Sequence, residues 1–350
     1  MKENQGKEGG SCNPSSKTGP GTLRALAIAV VAGATIVTST GCAPVTDAVK
    51  GVFVDEGFPA LPSPEIATYV VDLSGSTYPL QQLQALGSGI EEYVSGSSLG
   101  DPFSNPKVAP KSLSIQFITE NSANGGRISL VSAKTGMELH DWAANRTPNL
   151  DQAKQLWRGF KNARTELAGS QVEDLAGCQV RALELFGQQG LSQAELKQPA
   201  KAICSDIVRT QNALLQLSDF VSNPGVPLGS DVYGAIDMAV SNLQRAEMQF
   251  PMSQKTLVIA SDLIDQSPER SFVSRIKTSN SNQDVCAMAK QDLIADYGKG
   301  MPFQDLFVVL VGQANSKADT QLLNKVRKYW TCYFQAAGAE IIQTTDLNNY

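Results

Sequence analysis

The chain has 350 residues, of which 42% are hydrophobic and 18% are charged, and its formal net charge is −5. This composition is typical of a globular protein and excludes a largely disordered chain, and the length is enough for one large domain or two small ones. The acidic balance excludes a general nucleic-acid binder, because such a protein needs a basic face to neutralise phosphates.

The first 41 residues have the pattern of a signal peptide. Residues 1–24 are polar and partly basic, and residues 25–37 form an apolar segment that is shorter than the roughly 20 residues of a membrane span. Small residues then end in Gly41 and Cys42, which resembles a bacterial lipobox. The resemblance implies that Cys42 is lipidated and becomes the mature N-terminus. The alternative is an uncleaved N-terminal anchor, and either interpretation places the rest of the chain in the cell envelope, outside the cytoplasm.

Residues 42–64 are expected to be a tether, because they contain Pro44, Pro59, Pro62 and Pro64 and show no sustained periodicity. The folded part is therefore expected to begin near residue 65.

Apart from Cys12 in the leader and Cys42 at the lipobox, four cysteines remain, and they are predicted to form disulfides, which exported domains favour. Four cysteines allow three pairings. We expect Cys178–Cys204 and Cys286–Cys332, because each of these pairs joins two predicted neighbouring helices. The alternative is four buried free thiols.

Strand and helix patterns alternate through most of the chain. Residues 66–71 are apolar and β-branched, which predicts a strand buried on both faces, and residues 78–94 have helical spacing. Two alternating segments, 113–118 and 127–131, are joined by the turn-forming residues 121–126 and predict a β-hairpin.

Residues 133–225 interrupt this alternation with two or three predicted amphipathic helices, separated by a turn at residues 187–192 and Pro199. The alternation resumes at Ser230. The remaining segments predict helices at 232–243, 284–297 and 322–333 and strands at 256–260, 306–311 and 340–343.

The expected fold is therefore α/β. It is a Rossmann-like, mainly parallel sheet with one antiparallel edge strand, helices on both faces and a helical insertion.

Oxygen-bearing side chains follow the predicted strands at one edge of this sheet. Asp72, Ser74 and Ser76 occupy alternate positions after the first strand, so they can face the same point. Ser230 precedes a helix and Asp262 follows a later strand. A set made only of carboxylate and hydroxyl oxygens suits Mg²⁺ or Mn²⁺ and suits Zn²⁺ poorly.

These segments resemble a von Willebrand factor type A domain with its metal-ion-dependent adhesion site. Asp72, Ser74 and Ser76 match that family's Asp-x-Ser-x-Ser signature, Ser230 stands at its Thr position, and Asp262 stands at its last Asp. The resemblance covers residues 65–345 with an insertion at 133–225.

The resemblance also implies a function. Ser74 and Ser76 would bind the ion directly, Ser230 directly or through water, and Asp72 and Asp262 mainly through water. The ion would accept a carboxylate from a partner protein, so the chain is expected to be a binding module rather than an enzyme.

Other interpretations fit the same residues. Ser230 can be a helix N-cap, and the site can be vestigial in a structural envelope protein whose insertion makes the contacts. A serine hydrolase would need Ser76 and the single histidine, His140, which we place in a loop before the insertion. Asp265, Glu269 and Arg270 are expected at the solvated start of a helix, and the alternative is that they line the rim of the site. Nucleotide-binding glycine motifs are absent from the sequence, so a nucleotide is not expected.

Overall fold

A computed structural model of the chain describes residues 60–343 with gaps: 60–72, 97–105, 107–119, 121–122, 127–147, 149–170, 172, 174–186, 191–222, 229–267, 270–311 and 319–343. The leader with Cys42, most of the tether, the predicted helix 78–94 and the candidate ligands Ser74 and Ser76 lie outside the described residues.

The described strands form one six-stranded sheet in the order β3-β2-β1-β4-β5-β6. Every neighbouring pair is parallel except β2 and β3, which are antiparallel and leave β3 as an edge strand. The predicted fold class is therefore confirmed. The strands are β1 (Glu65–Asp72), β2 (Lys111–Ile118), β3 (Arg127–Val131), β4 (Gln254–Ala260), β5 (Leu306–Val311) and β6 (Glu340–Gln343).

Eight α-helices are described, and four of them fall in the insertion, where the sequence predicts two or three. The insertion helices are α1 (Ala133–Arg146), α2 (Leu150–Ala168), α3 (Leu175–Phe186) and α4 (Gln193–Ser222). The others are α5 (Val232–Gln249), α6 (Phe272–Thr278), α7 (Asn282–Tyr297) and α8 (Thr320–Ala336).

The central strands are buried on both faces, which explains their continuous apolar segments, Tyr69–Val71 in β1, Leu257–Ala260 in β4 and the whole of β5. In β1, Val70 faces a core shared with α5, α6, α7 and α8, whereas Val71 faces the opposite core. On that second face, Ala213 and Leu217 of α4 pack against the sheet. The helices therefore lie on both faces, as expected.

The insertion has a hydrophobic core of its own, to which α1, α2, α3 and α4 all contribute. Cys178 and Cys204 form a disulfide between α3 and α4, with Cα atoms 5.7 Å apart. A second disulfide joins Cys286 of α7 to Cys332 of α8, with Cα atoms 5.3 Å apart. These are the two pairings expected from the sequence.

Two local predictions in the insertion are wrong. Pro199 lies inside α4 rather than in a turn, and α4 is 30 residues long. His140 lies within α1 rather than in a loop. None of the helices in the described part of the chain is long and apolar enough to cross a membrane.

Candidate cation site

The candidate site lies where the strand order changes direction. The chain moves from β1 outward to β2 and β3 and then returns to β4 on the other side of β1. Open α/β sheets bind ligands at such a point, outside the carboxyl ends of the strands. Val71 lies beside Ala260 in the β1–β4 pairing, so Asp72 and the loop containing Asp262 leave the sheet side by side.

Asp72 is fully buried at the end of β1. Its Oδ2 accepts a hydrogen bond of 2.8 Å from the hydroxyl of Ser261, the first residue after β4. The same hydroxyl accepts a 2.8 Å bond from the backbone N–H of Leu263. Ser261 therefore joins the two loops and orients the Asp72 carboxylate, a role that the sequence did not reveal because serine is common in loops.

Asp262 is also fully buried, and its Oδ1 accepts a 2.9 Å bond from the backbone N–H of Ile264. The intervening Leu263 has a φ of 63°, in the left-handed region that favours glycine. This conformation costs a non-glycine residue about 1–3 kcal/mol. Leu263 is held there by burial of its side chain and by a 2.9 Å bond from Trp330 Nε1 to its carbonyl oxygen.

Ser230 is 1% exposed, and its hydroxyl has no hydrogen-bond partner among the residues that the structure describes. The N-cap of α5 is Asp231, whose Oδ1 accepts a 2.8 Å bond from the N–H of Gly234. The interpretation of Ser230 as the N-cap is therefore wrong, because Asp231 already performs that function.

Backbone hydrogen bonds fix Ser230 against two other loops at this edge. Its carbonyl oxygen accepts a 2.8 Å bond from the N–H of Gln266, in the loop after β4. The N–H of Asp231 donates a 2.8 Å bond to the carbonyl of Thr119, directly after β2. Ser230 and Asp262 are thus placed at the same edge as Asp72.

Asp265 is buried rather than solvated, which contradicts the sequence prediction. Its Oδ1 accepts a 2.9 Å bond from the N–H of Val232, and its Oδ2 accepts a bond from the hydroxyl of Ser267. Burial nevertheless raises the pKa of this carboxyl above its ordinary value. Arg270, expected beside it in solvent, lies 3.8 Å from the centre of the Tyr233 ring and pairs with Asp296.

His140 is 3% exposed and stacks on Phe103 with ring centroids 5.0 Å apart. Its Nδ1 lies 3.3 Å from Oδ1 of Asp141 in the same helix. Phe103 belongs to the core of the insertion, so the surroundings of this histidine favour a packing role.

The structure brings together Asp72, Ser230 and Asp262 of the five candidate ligands, and Ser74 and Ser76 lie outside the described residues. Within the described ranges, no group of three or more His, Cys, Asp and Glu side chains is placed to hold a metal ion. The expected set contains only two carboxylates, and its other members are hydroxyls.

Comparison of the chain with protein-family models finds no match, and comparison with curated proteins finds none either.

Proposed function

We propose that the carboxyl edge of the sheet binds a Mg²⁺ or Mn²⁺ ion through Asp72, Ser74, Ser76, Ser230 and Asp262, and that this ion docks an acidic residue of a partner protein. The chain would be a lipid-anchored binding module of the cell envelope, of the von Willebrand factor type A kind, and not an enzyme.

The observation that carries this proposal is the hydroxyl of Ser230. A buried polar group without a partner costs about 1–3 kcal/mol, so native proteins rarely retain one without a reason. No hydrogen bond satisfies this oxygen in the described part of the chain, and the capping role belongs to Asp231. A cation at this edge would give the oxygen a partner.

The charges at this edge fit the same ion. Asp72 and Asp262 are both fully buried, and burying a carboxylate is costly unless positive charge or hydrogen bonds compensate it. A divalent cation would neutralise both. Because the remaining ligands are neutral hydroxyls, the ion would stay electrophilic enough to attract a further carboxylate.

A structural envelope protein in which the insertion makes the contacts is the second candidate. It is supported by the separate core of the insertion and by its own disulfide between α3 and α4. This candidate needs no metal, so metal binding separates the two.

Calorimetric titration of the full chain with Mg²⁺ and with Mn²⁺ tests the proposal. We expect one ion to bind per chain, and Asp72→Asn to abolish binding because it removes one of the two buried charges. Asp219→Asn, on the exposed surface of α4, is the matched control and should bind as the wild type does. Absence of metal binding by the wild type would favour the structural candidate.

A further inference from the structure

A second polar cluster lies away from the candidate cation site, between the start of β3 and the middle of α5. Arg127 is the first residue of β3, and its Nη1 donates a 3.0 Å hydrogen bond to Oδ1 of Asn242. Asn242 lies ten residues into α5, which corresponds to about 15 Å along the helix axis at 1.5 Å per residue. The cluster is therefore well separated from Ser230 at the start of that helix.

The cluster contains a buried hydrogen-bond donor that has no acceptor among the described residues. Asn242 is 3% exposed, and its buried Nδ2 has no partner among the described residues. Arg245 follows three residues later, on the same face of α5. A guanidinium carries five N–H donors and no acceptor, and the Asn242 amide adds two more donors.

No carboxylate in the described part of the chain forms an ion pair with Arg127 or Arg245. The α5 residues three and four positions from Arg245 are Ser241, Asn242, Met248 and Gln249, none of which is acidic. Across the strand pair, Arg127 lies opposite Gln116, which is neutral. Among the described residues, no acidic side chain therefore pairs with these positive charges.

The two guanidinium groups also interact unfavourably with each other. Burial lowers the pKa of Arg127 below its ordinary value, and the charge of Arg245 lowers it further. Both side chains are exposed, so solvent screens part of this repulsion, and a bound anion would reduce it further.

We infer that Arg127, Asn242 and Arg245 form a binding site for a phosphate group. The planar guanidinium fork matches the oxygens of a phosphate, and the buried amide of Asn242 supplies a neutral donor at the base of the site. A phosphate group offers only acceptors and up to two negative charges, which complements a cluster of donors with two positive charges. This inference does not depend on the proposed cation site.

Titration of the full chain with inorganic phosphate, at constant ionic strength maintained with chloride, tests the inference. We expect saturable binding by the wild type, weakened roughly tenfold or more in Arg127→Gln and in Arg245→Gln, because each change removes charge-assisted hydrogen bonds. Arg181→Gln is the matched control. Arg181 is an exposed arginine of α3 that lies 3.5 Å from Glu166, so its loss should leave phosphate binding unchanged.

A nearly isosteric change provides a test that does not depend on losing an arginine. Asn242→Asp places a carboxylate beside Arg127, where it takes the role of the anion. We expect this variant to lose phosphate binding while its folded state remains intact, as judged by circular dichroism.

A second ligand identifies the source of the phosphate group. Glycerophosphoglycerol is a phosphodiester headgroup without acyl chains, so its binding would indicate a lipid, whereas binding of inorganic phosphate alone would indicate a terminal phosphate. The inference is overturned if neither ligand binds the wild type, or if Arg127→Gln and Arg245→Gln bind them as tightly as the wild type does.

Discussion

At the scale of single residues, Asp265 shows how the loop after β4 supports α5. Its carboxylate accepts a backbone N–H at the first turn of the helix, where carboxylates are favoured by the helix dipole. Burial opposes this by disfavouring the charged form, and it raises the pKa of the side chain. Asp265 therefore accepts a hydrogen bond from the first residue of α5, while its burial disfavours the charged carboxylate.

This raised pKa predicts a pH dependence of stability. A carboxyl whose pKa is higher in the folded than in the unfolded state makes the folded protein bind more protons, so stability falls as the pH rises from about 3.8 through the folded pKa. Asp265→Asn cannot ionise, yet it keeps an oxygen that can accept from Val232. We expect this variant to gain stability relative to the wild type across that window.

Urea unfolding between pH 3.5 and pH 7, in the presence of a chelator, measures this difference. The gap between Asp265→Asn and wild type should widen as the pH rises, while the exposed Asp219→Asn serves as the control. A gap that is constant or that narrows with pH would contradict the assignment.

Two side-chain roles could not be predicted from the sequence, the N-cap of α5 and the role of Ser261. Ser230 and Asp231 are adjacent, and both types are favoured N-caps, so the sequence could not decide which of them caps α5. The choice depends on tertiary contacts, because Asp231 also accepts a 3.0 Å bond from the N–H of Ser122 after β2. Ser261 was missed for the same reason, since its partner Asp72 is distant in sequence.

At the scale of elements, a buried ion pair links two helices of the insertion. Arg164 of α2 and Asp206 of α4 are each 1% exposed, and Nη2 of the arginine lies 2.8 Å from Oδ2 of the aspartate. Arg209 pairs with the other oxygen of the same carboxylate. Asp206 is therefore the common partner of two cations.

Removing Asp206 alone should be strongly destabilising. Asp206→Ala removes the carboxylate that pairs with the buried Arg164, and breaking a buried ion pair from one side costs about 3–5 kcal/mol of unfolding free energy. The double variant Arg164→Met/Asp206→Leu should recover most of this loss, because it replaces both charges by apolar side chains. Urea unfolding monitored by tryptophan fluorescence, with Asp219→Ala as a control, measures both effects. Equal loss in the single and the double variant would contradict this interpretation.

Strands and helices could be predicted where the local pattern of apolar residues matches the burial of the segment in the fold. The bounds of β3, β5 and β6 follow directly from their alternating or continuous apolar segments. For the 7-residue α6, the sequence indicated only a helix start near Arg270 and not its extent, because so short a helix shows little periodicity. The sequence predicted too few helices in the insertion. Pro199 was taken as a turn signal, although it lies inside α4, and the four helices pack mainly against each other in a core of their own.

At the scale of the whole molecule, the order of strands places both loops of the candidate cation site at one edge of the sheet. The alternation of strands and helices predicted a mainly parallel sheet with an antiparallel edge. The exact neighbours of each strand could not be predicted, since they depend on contacts between segments far apart in sequence. β1 and β4, for example, are adjacent although residues 73–253 separate them.

The expected lipid anchor at Cys42 would determine where the whole protein is found in the cell. Cys42→Ser should move the protein from the membrane fraction to the soluble fraction, or from the detergent phase to the aqueous phase, because lipidation needs the thiol. Cys12→Ser, a change in the same leader, is the matched control. Retention of Cys42→Ser in the membrane fraction would favour the uncleaved anchor.

The central claim is that the hydroxyl of Ser230 is a ligand for a divalent cation. Ser253 provides a matched control, because its hydroxyl is likewise buried without a partner in the described part of the chain, but it lies just before β4 at the opposite edge of the sheet.

Thermal unfolding of the wild type, Ser230→Ala and Ser253→Ala, each with a chelator and with excess Mg²⁺, is the most direct measurement. With the chelator, both variants should match or exceed the wild type, since each loses an unsatisfied polar group. With free Mg²⁺ at a hundred times Kd, the unfolding free energy of the wild type and of Ser253→Ala should rise by about 2.7 kcal/mol, and that of Ser230→Ala should rise clearly less. No gain in the wild type, or the same gain in Ser230→Ala, would contradict the account.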